Sequence, residues 1–205
     1  MKKVKIIVSL ITLVVASGFI VSFAIIQKTD EVIPVANYQK QMVNLFVTHG
    51  HCSTPFSGNV ENLKLETNSF AALGNPMEDM NISFEINPYS FAVCRGEGLT
   101  EKIQTPGLFV SEDDEMISFR TTQVFTMGLD WYQINGKLSI KGVERDIKLF
   151  ATGIRGSEEI MPSYLILEGQ FNLFDWDIDY DKIVNGESVE VSTRWMHLNM
   201  KIEMC

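Results

Sequence analysis

A chain of 205 residues, 45% hydrophobic and 21% charged, holds enough apolar material for one ordinary core, which excludes disorder, a collagen-like repeat and a disulfide-dense miniature scaffold. Its 17 basic and 26 acidic residues give a formal net charge of −9. That balance argues against nucleic acid or an anionic membrane surface as a partner.

The chain opens with "MKKVKIIVSLITLVVASGFIVSFAIIQK", in which Lys2, Lys3 and Lys5 precede an uncharged stretch from Ile6 to Ile26. As a helix this stretch would span about 31 Å, close to the hydrocarbon thickness of a bilayer. Secretory signals usually have a shorter apolar region and a small-x-small cleavage site. Here only Ser22-Phe23-Ala24 qualifies, and it sits late. Residues 1–27 are therefore expected to form a single-pass anchor, with a cleaved signal as the alternative and a buried apolar helix as the third reading. In the first two cases the lysines stay in the cytoplasm by the positive-inside rule, and everything after Lys28 is exported. The expected location is the cell envelope, with the C-terminal domain outside the cytoplasm, or the periplasm or exterior if the segment is cut. No cysteine closely follows the apolar stretch, so no lipoprotein attachment point is expected.

Residues 28–41, "KTDEVIPVANYQKQ", read as a polar tether, and residues 42–205 as the folded domain. Period-two alternation then recurs, the mark of strands with one apolar and one polar face. It places Val43, Leu45 and Val47 on one face, then Met80, Ile82, Phe84 and Ile86, then Ile117, Phe119 and Thr121. Further on come Leu138 with Ile140, Ile147 with Leu149, the series Leu165, Leu167, Gly169, Phe171 and Leu173, and the series Met196, Leu198, Met200 and Ile202. Asn135-Gly136, Lys141-Gly142 and Asn185-Gly186 read as turns, so antiparallel hairpins in a closed barrel or a sandwich are expected. The one convincing helical piece runs from Gly98 to Phe109, where Leu99, Ile103 and Leu108 would cover one end of the sheet before Pro106 and Gly107 interrupt it.

Three cysteines in an oxidising compartment suggest one pair and one leftover. Cys52 with Cys94 is the preferred pair, because Cys205 is the last residue; pairing of Cys52 with Cys205, or three free thiols, stays open. In "THGHC", His49 and His51 lie two apart on one strand face and could reach a common ion, but two nitrogens do not close a site. A third ligand would have to come from His197, Asp175 or Asp177. No metal or cofactor is therefore expected, and the two histidines read as a polar strand end or as surface residues. His197 shares its face with Trp195 and Asn199, opposite the apolar register, and is expected to point outward. The acidic run Glu112 to Glu115 lacks the spacing of a calcium loop. Phe84, Phe119, Phe171 and Trp131 read as filling of the barrel.

Several stretches together resemble the YceI-like polyisoprenoid-binding family. "INGKLSIKGVERDIKLFATGI" (134–154) looks like its long hairpin, and "LTEKIQTPGLFVSEDDEMISFRTTQV" like its short helix, loop and following strand. "VNLFVTHGHCSTPFSGNVENLKLE" resembles its opening strand, leading to a histidine and a Phe-x-Gly turn. The resemblance implies an all-β fold, an antiparallel lipocalin-like β-barrel of about eight strands with one short helix. It also implies an isoprenoid or other long apolar lipid in the interior and no catalytic residues. The residues expected to line that interior are Leu45, Val47, Phe84, Ile86, Phe119, Leu138, Ile140, Leu167, Phe171 and Met200, with His49 at the rim. Small inward residues such as Gly169 would leave a tunnel open. The family's Asn-Arg-x-x-Phe-Gly segment is absent, since Leu173 follows Asn172; a neutral quinone-like or prenol-like ligand is therefore expected rather than a diphosphate. Expected partners are that lipid and, through the N-terminal helix, the membrane, with a homodimer left open. Two rival readings are a lipid-modifying enzyme using His49 or His51 with an acidic partner among Asp175 to Asp181, and a solidly filled, ligand-free interaction module of the envelope.

Overall fold

The structure is a computed structural model, and it describes residues 32–34, 41–49, 52–68, 75–93, 97–111, 113, 115–186 and 194–204. The expected N-terminal helix and most of the tether lie outside the described residues. The strands are β1 (Val32–Pro34), β2 (Gln41–His49), β3 (Cys52–Asn68), β4 (Asn81–Ile86), β5 (Ala92–Val93), β6 (Ile117–Gly128), β7 (Trp131–Ile140), β8 (Val143–Ile154), β9 (Tyr164–Asn172) and β10 (Trp195–Glu203). Two short helices accompany them, α1 (Glu97–Gln104) and α2 (Tyr180–Asn185).

Hydrogen bonding runs β3-β2-β10-β9-β8-β7-β6-β4 and returns to β3, so eight antiparallel strands close into a barrel. Closure depends on β3, whose 17 residues serve two partners in succession. Its first half pairs with β2, from His49↔Cys52 to Gln41↔Val60, and its second half pairs with β4, up to Glu66↔Asn81. The register shifts between Glu61 and Lys64, where Asn62 takes φ 49°. A bulge of this kind bends a strand and steepens its twist, which lets one strand turn the corner between two neighbours. The edges that β2 and β4 leave free are covered by β1, through Val32↔Asn68, and by β5, through Phe56↔Val93.

Inward positions alternate most regularly on β7, while β3 and β6 carry register shifts. On β7, Tyr132, Ile134, Leu138 and Ile140 are buried at every second position, with Gly136 between them. The two ends of the barrel differ. At the capped end, α1 and the residues after it bury Ile103, Leu108 and Phe109, and Phe109 meets Phe56 at 5.8 Å and Phe91 at 5.4 Å. At the opposite end, called the turn end, residues 75–80 plug the barrel with Met77 and Met80.

Several turn expectations need correction. Lys141-Gly142 is a turn, with φ of 50° and 72°. Asn135-Gly136 lies inside β7, and Gly136 is there because a Cβ would come within 2.4 Å of the Phe119 ring and 2.6 Å of the Arg120 carbonyl. Phe56-Ser57-Gly58 is likewise strand, with Gly58 making room for Phe91 at 2.6 Å. Asn185-Gly186 ends α2, a helix the sequence pattern did not reveal, with Gly186 as a left-handed cap at φ 85°. The expected helix exists but stops at Gln104, because the residue before Pro106 disfavours helical backbone.

Gly136→Ala is expected to destabilise the barrel by about 1–3 kcal/mol, because an aromatic ring and a carbonyl cannot both withdraw. Gly169→Ala should cost less, since its nearest neighbour is a terminal methyl of Leu149 at 2.1 Å. Denaturant unfolding of the two variants against the parent measures the difference.

Candidate functional site

The inward faces of the strands together build one apolar interior. Leu45, Ile86, Phe109, Ile117, Leu138, Ile140, Phe171, Met196 and Leu198 line an apolar cavity at the capped end. Its volume is about 10 Å³, room for about one water-sized sphere, and an apolar space that small stays dry. Of the residues expected in the binding face, Leu45, Ile86, Leu138, Ile140 and Phe171 meet there. Phe84, Phe119, Leu167 and Met200 are buried in the same core without lining the cavity. Val47 and His49 pair with Thr54 and Cys52 through the backbone, and their side chains lie outside the described residues.

Among the described residues, no tunnel opens beside Gly169. Leu149 occupies the space that Gly169 leaves, as Phe119 does at Gly136 and Phe91 at Gly58. Close packing explains this: a barrel wall that presents no side chain is a hole, and a neighbour that fills it recovers dispersion contacts. Phe84 and Phe119 stack at 5.2 Å, so both fill the barrel as expected. Trp131 does not. It occupies an outward position of β7, is 46% exposed, and stacks on Phe150 at 6.4 Å.

The cap at this end is pinned by cations holding backbone carbonyls. Lys141 Nζ donates to Gly107 O at 3.1 Å, Arg145 Nε to Asp175 O at 2.8 Å, and Lys102 Nζ to Val184 O. The buried Trp176 donates from Nε1 to Val143 O at 2.7 Å and meets Phe171 edge-on at 5.4 Å. The acidic stretch around it shapes local backbone. Asp179 caps α2 by accepting from Lys182 N, and Asp177 takes a left-handed φ of 55° after the 3₁₀ turn Leu173–Trp176. His197 lies outward on β10, with Nε2 3.5 Å from Gln170. Among the described residues, no three His, Cys, Asp or Glu side chains gather as a metal site would require. His51 and the expected Cys52–Cys94 bridge lie outside the described residues.

The YceI-like domain model matches residues 35–203. The chain belongs to the YceI-like domain family. Among solved structures, Burkholderia cenocepacia BcnA is similar over 78% of this chain and 94% of its own, at 12% identity and a TM-score of 0.57. A Campylobacter jejuni YceI protein is similar over 86% and 91%, at 15% identity and a TM-score of 0.48. No curated protein matches the chain. In this YceI-like barrel, Phe109, Ile117, Met196 and Leu198 line the cavity without being among the residues expected to line the interior. Three of these share an apolar register with residues that were expected there. Phe109 closes the expected helical piece but lies beyond the observed helix, which stops at Gln104, and tertiary packing brings it over the barrel mouth.

At the turn end, Tyr132 is fully buried and its hydroxyl accepts from Met77 N at 3.3 Å. Loss of solvation on burial raises its pKa above the ordinary 10.0, outweighing the hydrogen bond from Met77, which lowers it. As pH rises through that ordinary value the unfolded chain gives up this proton while the folded one keeps it, so stability falls. Tyr132→Phe is expected to make this alkaline loss of stability less steep, as read from denaturant midpoints across the alkaline range.

Proposed function

We propose that this domain binds a neutral isoprenoid-type lipid, quinone-like or prenol-like, in the barrel interior, and performs no chemistry of its own. The supporting observation is the unbroken apolar interior ending in a cavity beneath Phe109 and Met196. Among the described residues the only buried polar or charged ones are Thr67, Asp130 and Asp181, so the inner wall offers a ligand tail hydrocarbon, sulfur and aromatic faces.

The cavity as it stands does not hold a long chain, so binding requires the capping residues to move. Lifting one phenylalanine out of the core costs about 1.5–3 kcal/mol of burial, and an entering tail restores that burial with its own area. Met196 suits such exchange, because an unbranched thioether repacks readily. The neutral head group follows from the missing arginine after Asn172 and from the uncharged inner wall. In this reading the N-terminal apolar segment holds the domain on the outer side of the cytoplasmic membrane.

Organic extraction of the full-length protein followed by mass spectrometry is expected to recover a neutral long-chain isoprenoid. An empty extract together with stoichiometric zinc would overturn the reading, and an empty extract alone would favour a filled interaction module. Titration should show tighter binding of a prenol than of the matching prenyl diphosphate. Phe109→Ala is expected to destabilise the empty protein by about 3–5 kcal/mol while increasing the stabilisation that added prenol confers, as measured by thermal unfolding with and without lipid.

A further inference from the structure

The turn end carries an apolar surface that the interior does not use. Leu129 at the β6–β7 turn is 74% exposed and Ile160 in the β8–β9 loop is 65% exposed. Met127, Trp131, Ile154 and Met161 are exposed beside them. Strand pairing brings them together: Gly128 lies opposite Trp131, Trp131 opposite Thr152, and Ile154 opposite Tyr164. The two projecting loops are held stiffly. Arg155 Nε meets Asp130 Oδ2 at 2.8 Å, and Gly153 N donates to Asp130 O at 2.8 Å. Asp130 N is in turn fixed by Asn75 Oδ1 at 2.9 Å. Such a contiguous apolar patch on loop tips is costly in water and marks a contact surface.

The chain's path indicates what covers it. β2 begins at this end of the barrel, and β1 pairs with the last residues of β3 at the same end. Only residues 27–31 separate Val32 from Ile26, the last residue of the apolar stretch. Extended chain over that interval reaches about 20 Å. If Ile6 to Ile26 spans a bilayer, as the proposed function holds, Val32 at the turn end is tethered within about 20 Å of that bilayer. Tryptophan with aliphatic and methionine neighbours is the composition found where protein meets the membrane interface.

We propose that Met127, Leu129, Trp131, Ile154, Ile160 and Met161 form a membrane-contact surface that seats the turn end of the barrel on a lipid bilayer. It rests on the anchor reading for its orientation. Glu158 and Glu159 share the β8–β9 loop, so the contact is apolar and is expected to persist in high salt on zwitterionic lipid.

The test uses the full-length protein with phosphatidylcholine vesicles, plain or with brominated acyl chains, and reads tryptophan emission. Bromine is expected to quench emission, and Trp131→Phe to abolish that quenching, because Trp176 is buried and Trp195 sits at the capped end. Leu129→Asp with Ile160→Asp, both at exposed positions, should also abolish it without lowering the unfolding temperature. Quenching is compared for protein floating with the vesicles and for protein added to them, so a failed anchor is distinguishable from a failed contact. Quenching that survives Trp131→Phe, or no quenching in either arrangement, overturns the proposal. So does a dimer that Leu129→Asp dissociates in the absence of lipid.

Discussion

Pairing of β3 with both β2 and β4 is the constraint from which the rest of the barrel follows. A ring of eight strands has no free edge, and its strand number fixes the internal width within narrow limits. The bulge at Asn62 lets one long strand hand over from one partner to the other, and β1 and β5 cover what that hand-over exposes. Once the ring is closed, the inner volume is set and the side chains must fill it.

The filling is achieved by pairing absence with excess. Gly58, Gly136 and Gly169 each withdraw a side chain exactly where Phe91, Phe119 and Leu149 need room. The interior is therefore close-packed beside these glycines, and a residual cavity lies at the capped end. A lipid that enters such a barrel replaces protein contacts rather than occupying a standing tunnel. The layer it would displace includes Phe109, which is held over the cavity by a cap whose Gly107 carbonyl is tied by a surface lysine.

The two ends are chemically opposite. At the capped end, lysine and arginine side chains hold backbone carbonyls of the cap. At the turn end, an ion pair and backbone hydrogen bonds stiffen two loops whose tips are apolar. This polarity gives the molecule a direction that the approximate symmetry of a barrel would lack. It also coincides with the end from which the chain enters.

Period-two alternation by itself determined the strand class and which residues share a face, because a pleated strand must send alternate side chains to opposite faces; closure of the barrel decided which face points inward. Residues 134–154, with one long alternating hairpin, carry the family resemblance together with the helix-and-strand stretch before them and the opening strand. Alternation could not show that Asn135-Gly136 and Phe56-Ser57-Gly58 are strand, since the reason for those glycines is a ring on a neighbouring strand. Nor could it show Trp131 outside the barrel, α2 with its Asp179 and Gly186 caps, or Phe109 above the cavity. Those were decided by tertiary structure alone, because the space at one position depends on volumes contributed by strands far away in the chain.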